Sequence, residues 1–443
     1  MVTKKLTQDG GNNTSMNKPI IGFAGLTHLG INSAVASSYR GFQVVGFHND
    51  NELVSKLNQG VPNVLEPQLP ELMVQYSRQL TFSADINSLE SCDIVYIAVD
   101  VPTNNFGASD LSPVEEIIAA ATRAMKKDSI LVVLCQVPPG FTRKLNWPEE
   151  QLFYQVETLI FGRAMDRAMN PERFMIGCAN PKDPLPPKLT QYLESFHCPI
   201  LPMRYESAEL AKISINMFLV ASVSTTNTLA EICEQIGASW SEISPALHLD
   251  KRIGQYAYLN PGLGIAGGNL ERDLTTVINF SKQYHTDGGV VASWISNSGY
   301  RKDWAWRTLN ELVLIQNPKA RIALLGLTYK ENTHSLKNSP SIALIEKLSN
   351  NTITAFDPAA SSDIAFPGFH RVDNAVQALD GADVLVIMTP WEEFRSLSVD
   401  EITIRMVGKV VIDPYQILRG EQLKEKGFMY ATLGESIQSM IDQ

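Results

Sequence analysis

Short apolar runs closed by glycine- or proline-bearing turns recur in the first and last thirds of the chain, with a long helical pattern between them. The run Ile20–Ala24 reads as a buried strand. It is followed by a turn, Gly25–Gly30, then the small, helix-compatible stretch Asn32–Ser38, and after Gly41 a β-rich run, Gln43–Phe47. Strand, turn, helix and strand in so short a span make a βαβ unit. Ile94–Val99 and Ile130–Cys135 predict further strands. A helix between them starts near Pro113, where proline suits the first turn. Pro138-Pro139-Gly140 ends the second of these strands sharply.

Lys182–Pro187 is proline-rich and reads as a surface connection. Ser207–Gly237 then keeps helical periodicity without an internal glycine or proline and is stopped by Gly237, which predicts one long helix. A helix of that length between two α/β halves serves as a spine and offers a face for dimerisation. Gly254–Gly268 has too many glycines for a helix and too few alternating apolar residues for a strand, so it is a shaped loop. From Arg321 the α/β rhythm returns, with strands expected at Ile322–Leu325, Thr352–Phe356, Val384–Met388 and Val410–Ile412. The predicted fold is α/β: two open parallel-sheet, Rossmann-like domains joined by a long central helix.

Composition narrows the class of function. The chain has 443 residues and a formal net charge of −10, a length that predicts two or three domains. The acidic balance argues against nucleic acid or an anionic membrane as partner. No run of about 18 apolar residues is present, so no membrane span is expected. Residues 1–17 are polar with no apolar core, which reads as a disordered tail rather than a signal peptide. The five cysteines (Cys92, Cys135, Cys178, Cys198 and Cys233) are scattered, with no C-x-x-C pair. They read as free thiols in a reducing, cytoplasmic compartment, and no metal site is expected.

The first turn, Gly25-Leu26-Thr27-His28-Leu29-Gly30, is a degraded dinucleotide fingerprint. In G-x-G-x-x-G the middle glycine lets the backbone approach the pyrophosphate, and Thr27 stands there. The acid expected at the end of the second strand is replaced by His48, with Asp50 two residues on. Either Asp50 reads the ribose, or the ribose is read differently; a histidine also tolerates a 2′-phosphate, so both NAD and NADP stay open as cofactors.

Several segments then occur in order: Val101-Pro102-Thr103, Val137–Gly140, Asn170-Pro171-Glu172-Arg173, Glu209–Asn216, Arg252-Ile253-Gly254, Pro261–Asp273, Gly326–Lys330 with Ser339-Pro340, and Thr389-Pro390-Trp391. In this order and spacing the chain resembles the UDP-glucose/GDP-mannose dehydrogenase family from about Pro19 to Ile417. The resemblance implies an N-terminal dinucleotide-binding domain at 18–200, a central helical domain at 201–315 and a C-terminal nucleotide-sugar-binding domain at 316–443. It implies NAD-dependent oxidation of the C6 alcohol of a nucleoside-diphosphate sugar, through an aldehyde and a cysteine thioester, by a homodimer.

Carried over residue by residue, Lys212 and Asn216 lie one helical turn apart and match the lysine that stabilises alkoxide charge and its companion. Asp273 matches the site aspartate, and Glu172 the glutamate that activates water for acyl hydrolysis. Arg252, Lys330, Arg173, Gly264 and Gly267 match substrate-side positions. Gly25, Thr27, His28, Leu29, Gly30, His48, Asp50, Pro102, Thr103 and Lys337 match cofactor-side positions. Lys337 stands where the family has an arginine, and loses bidentate geometry. The thiol position of P-G-x-G-x-G-G-x-C is Asn269, an amide that forms no covalent intermediate of that kind. Pro171-Glu172-Arg173 leans toward members acting on N-acetylated hexosamines. Two readings follow: an oxidoreductase whose oxidation is incomplete or altered, or a catalytically silent nucleotide-sugar-binding or partner subunit on the same fold.

Overall fold

A computed structural model describes residues 17–102, 109–360 and 364–436. The 1–17 tail, apart from Asn17, and Thr103 lie outside the described residues. The described residues form two compact units: those up to 100 with 112–209, and those between 101 and 111 with the residues from 210 onward.

The first unit is built on an eight-stranded sheet in the order β3-β2-β1-β4-β5-β6-β7-β8. Its strands are β1 (Ile21–Ala24), β2 (Val44–Phe47), β3 (Leu80–Ser83), β4 (Ile94–Ile97), β5 (Ile130–Val133), β6 (Leu152–Gln155), β7 (Phe174–Cys178) and β8 (Ile200–Arg204). All neighbours pair in parallel except β6 with β7, so β7 and β8 run against the rest. Strands β1, β4 and β5 are buried throughout. This matches their unbroken apolar runs, because helices cover both faces of a parallel sheet. The order reverses between β1 and β4, which opens a crevice beyond their carboxyl ends. Into it point the β1 turn and the amino end of the first helix, His28–Tyr39.

The second unit carries a six-stranded, all-parallel sheet in the order β11-β10-β9-β12-β13-β14. Its strands are β9 (Arg321–Leu325), β10 (Thr352–Phe356), β11 (Phe369–Arg371), β12 (Val384–Ile387), β13 (Val410–Ile412) and β14 (Met429–Ala431). Side-chain alternation sends Ile322, Leu324, Val384 and Val386 into one core and Ala323, Leu325, Leu385 and Ile387 into the other. This is the second doubly-wound sheet that the pattern predicts.

The long helix spans Tyr205–Ile236, with Gly237 just beyond it at φ +75°. That is the left-handed stop for which glycine is suited. An 18-residue window of this helix reaches a mean hydropathy of 1.2, enough in length and composition to cross a membrane, yet 39% of the window is buried within the chain. The helix Asn269–Tyr284 follows the Gly254–Gly268 loop, which forms neither helix nor strand.

Candidate active site

The first-unit crevice is shaped by two obligatory glycines. Gly25 sits at φ +103°, and a Cβ there would lie 2.3 Å from Val99 Cγ1; a Cβ on Gly30 would lie 2.0 Å from the Gly25 carbonyl oxygen. These are the tight turn and the close helix–strand contact of a dinucleotide fold. Thr27 is the N-cap residue, but its side chain does not cap the helix. Its hydroxyl instead donates to Ala98 O at 3.3 Å and accepts from Asp100 N at 3.1 Å, tying the turn to the end of β4. The amino end of the helix is therefore left without a side-chain cap, and such an end favours an anion. The residues present fit a dinucleotide pyrophosphate on that observation.

His28, the first residue of that helix, is only 8% exposed. Its Nε2 lies 2.6 Å from Glu66 Oε1, and Phe161 stacks on its ring at 3.9 Å. Glu66 also accepts N–H bonds from Gly162 at 2.7 Å and Ala164 at 3.1 Å. The His28 side chain thus braces the turn from within, and only its backbone is placed at the helix end. Leu29 is buried in the core. At the end of β2, His48 Nδ1 accepts from Asp50 N at 3.1 Å. Asp50 caps the helix Asn51–Asn58, its Oδ1 accepting from Glu52 N and Leu53 N. Pro102 accepts from Asp110 N through its carbonyl.

Glu172 and Arg173 stand together on the first unit. Glu172 is 60% exposed and lies between Arg167 (3.1 Å) and Arg173 (2.7 Å). The hydrogen bond from Arg167 leads in holding its carboxyl below the usual glutamate range. Glu209, which sequence reasoning left without a role, is buried and accepts from Gly140 N (2.5 Å) and Thr142 N (2.8 Å), pinning the Pro138-Pro139-Gly140 turn. Burial pushes its carboxyl up.

In the second unit the catalytic candidates converge. Asn216 Nδ2 donates to Asp273 Oδ2 at 2.5 Å, and Arg272 Nε lies 3.5 Å from Asp273 Oδ1. Asp273 is 1% exposed and Asn216 7%. Lys212, half-buried, is one turn before Asn216 on the long helix and on the same face. Asn269 is the first residue of the helix that carries Asp273, one turn before it, and is exposed. A thiolate in that place would gain from the helix end; an amide does not. No other thiol stands in for it. Cys233 is buried on the long helix, and burial raises its thiol, while burial pushes Cys92 to about 11 and Cys135 to about 12.

The Gly254–Gly268 loop is locked by its glycines. A Cβ on Gly264 (φ +77°) would lie 2.5 Å from Ser298 O, and one on Gly267 (φ +83°) 2.9 Å from Tyr329. Gly267 N donates to Lys337 O at 3.2 Å, which brings Lys337 beside the Gly-rich loop. Glu271 takes Lys302 Nζ at 3.0 Å and also accepts from Asn338. Lys330 Nζ lies 5.9 Å from the Tyr329 ring centroid. Arg252 is not brought to this cluster: it is 90% exposed and forks onto Asp250 at 3.0 and 2.6 Å.

Asp357, at the end of β10, was also missed by the sequence reading. Its carboxylate accepts from Leu327 N, Thr328 N, Thr328 Oγ1, Ala359 N, Ala360 N and Trp391 Nε1. Burial pushes this group up, but the backbone N–H bonds outweigh it and hold it below the usual range. The anion of the second sheet's first turn is thus an internal one.

Comparison with known proteins bears on all of this. Residues 20–191 match the NAD binding domain of the UDP-glucose/GDP-mannose dehydrogenase family, residues 206–297 its central domain and residues 323–420 its UDP binding domain. The UDP-glucose 6-dehydrogenase of Rickettsia bellii is 30% identical over 433 residues, covering 94% of this chain and all of that protein. That of Rickettsia conorii is 29% identical over 437 residues, with 94% and 100% covered. A solved UDP-glucose dehydrogenase from the hyperthermophilic archaeon Pyrobaculum islandicum superposes with a TM-score of 0.81 at 24% identity, covering 95% of this chain and 99% of that one. A UDP-D-ManNAc dehydrogenase from Pyrococcus horikoshii superposes at 0.80 and 23%, covering 94% and 99%. At these identities the two structures speak for the fold.

Proposed function

Because this chain belongs to the UDP-glucose/GDP-mannose dehydrogenase family, we propose that it oxidises the C6 alcohol of a nucleoside-diphosphate sugar without a covalent enzyme intermediate. The observation that carries this is Asn269, at the head of the helix bearing Asp273, beside a retained Lys212–Asn216–Asp273 cluster. NAD, when bound, supplies the hydride acceptor. The uncapped helix end at His28 and the Gly25–Gly30 turn hold its pyrophosphate. The Lys212 ammonium stabilises negative charge growing on the C6 oxygen, which an amide or hydroxyl would do less well. Asp273, aimed by the Asn216 amide, orients the water that takes the hydroxyl proton. Gly264, Gly267 and Lys330 of the second unit serve the sugar nucleotide.

Without a thiol the aldehyde is not captured. The reaction stops after one hydride transfer, or the hydrated aldehyde is oxidised slowly. Arg252 fits a role toward a second copy of the chain. It stands among exposed Leu249, Ile253, Tyr256 and Tyr258, an apolar surface suited to burial in a homodimer. Turnover of UDP-glucose and UDP-N-acetylhexosamines with NAD, followed by reduced-cofactor absorbance, tests the proposal. No turnover across that panel overturns it.

The silent-subunit reading draws on Thr27, whose side chain bridges the crevice where a glycine would leave the backbone bare. Thermal-shift titration separates the two. Stabilisation by sugar nucleotide but not by NAD favours the silent binder.

A further inference from the structure

The adenosine-ribose end of the dinucleotide crevice has lost its acid, and the structure shows what replaced it. His48 follows β2, its N–H donating to Ser83 O at 3.2 Å. Its Nδ1 accepts the Asp50 N–H at 3.1 Å, which requires the neutral tautomer with the proton on Nε2. The ring therefore presents a donor. The carboxylate of Asp50, two residues on, caps a helix through Oδ1, which takes Glu52 N at 2.8 Å and Leu53 N at 3.1 Å. Lys56, the only cation from His48 to Gly60, is held by Glu52 at 2.6 Å.

We propose that His48 makes this site indifferent to the ribose 2′ substituent, so that the protein takes NADP as well as NAD. The inference rests on the dinucleotide-binding reading above. A carboxylate at this place accepts hydrogen bonds from the ribose hydroxyls and repels a 2′-phosphate. A neutral N–H donor does neither: it donates to a hydroxyl oxygen and, more strongly, to a phosphate oxygen, a gain that repulsion from the neighbouring Asp50 carboxylate offsets. No guanidinium fork is present from His48 to Gly60 to favour the phosphate, so indifference rather than NADP preference is the outcome.

The test is titration calorimetry of the full chain with NAD and with NADP, on the wild type and on His48→Asp, with thermal unfolding as the folding control. The wild type is expected to bind the two with dissociation constants within about tenfold of each other. His48→Asp is expected to widen the preference for NAD by about 10- to 100-fold, the worth of a charged hydrogen bond. NAD binding with NADP weaker by more than about tenfold in the wild type overturns the inference and leaves the dinucleotide reading standing. If neither binds, the dinucleotide reading itself fails. Should His48→Asp not fold, the wild-type pair of constants decides alone.

Discussion

Replacing Asn269 by cysteine should convert the protein toward full oxidation. Asn269 is exposed at the first position of its helix. The exchange should therefore change stability by no more than about 0.5 kcal/mol, a melting shift under about 2 °C. The new thiol would sit at a helix amino terminus, where its pKa falls below the ordinary value of about 8.5. A drop of about one unit raises the thiolate fraction at pH 7.5 from about a tenth to about a half. A thiolate in that place, one turn from Asp273, can capture the aldehyde as a hemithioacetal and pass a second hydride. The yield of reduced cofactor should rise from about one to about two per sugar consumed. The assay is burst and endpoint absorbance of reduced cofactor, beside titration with a thiol-reactive chromophore to show one added reactive thiol. If Asn269→Cys binds both ligands, carries that thiol and still yields the wild-type stoichiometry, the missing thiol is not what limits the reaction.

Other predictions follow from single contacts. Asn216→Ala leaves the buried Asp273 carboxylate without its 2.5 Å donor. It should cost about 1–3 kcal/mol in denaturant unfolding and lower kcat more than it raises KM. Gly30→Ala drives a methyl to 2.0 Å from the Gly25 carbonyl. It should destabilise the first unit by at least about 1–3 kcal/mol and abolish NAD-induced thermal stabilisation, while the second unit still binds sugar nucleotide. Asp357→Asn strands buried N–H donors in the turns after β9 and β10, for a loss of about 1–3 kcal/mol per donor. Because the folded-state pKa of Asp357 is depressed, its contribution is present above the ordinary aspartate range and lost as pH falls through the folded value. Acid unfolding of the wild type and Asp357→Asn should therefore converge at low pH.

What the sequence made legible tracks where local signals are strong. β1, β4, β5 and β12 are unbroken apolar runs, buried on both faces, and each falls within the run that predicts it, while β9 begins one residue before its run, at the exposed Arg321. The first helix starts at His28 rather than Asn32, because the turn residues themselves wind into it. The reversed pair β7 and β8 was not legible. β8 carries a proline and is mostly exposed at the sheet edge, so neither periodicity nor composition marks it. β11 is three residues long and partly exposed. In the site, the helical spacing of Lys212 and Asn216 already placed them on one face. The partnership of His28 with Glu66, a residue far along the chain, has no local signature at all. Asp357 did leave one: an acid between the end of a strand and Pro358, which the eye passes over as a turn. Arg252 shows the converse, a residue matched by motif whose fork closes on its own loop.

The proposed chemistry is oxidation by a cluster with no covalent partner. Its most direct test is to incubate the full-length protein with NAD and each member of a UDP-sugar panel, quench during turnover, and examine both the sugar product and the intact protein by mass spectrometry. The prediction is reduced cofactor together with a C6 aldehyde or its hydrate, on a protein of unchanged mass. A sugar acyl group bound to any cysteine would contradict it, as would the absence of oxidised sugar with every member of the panel.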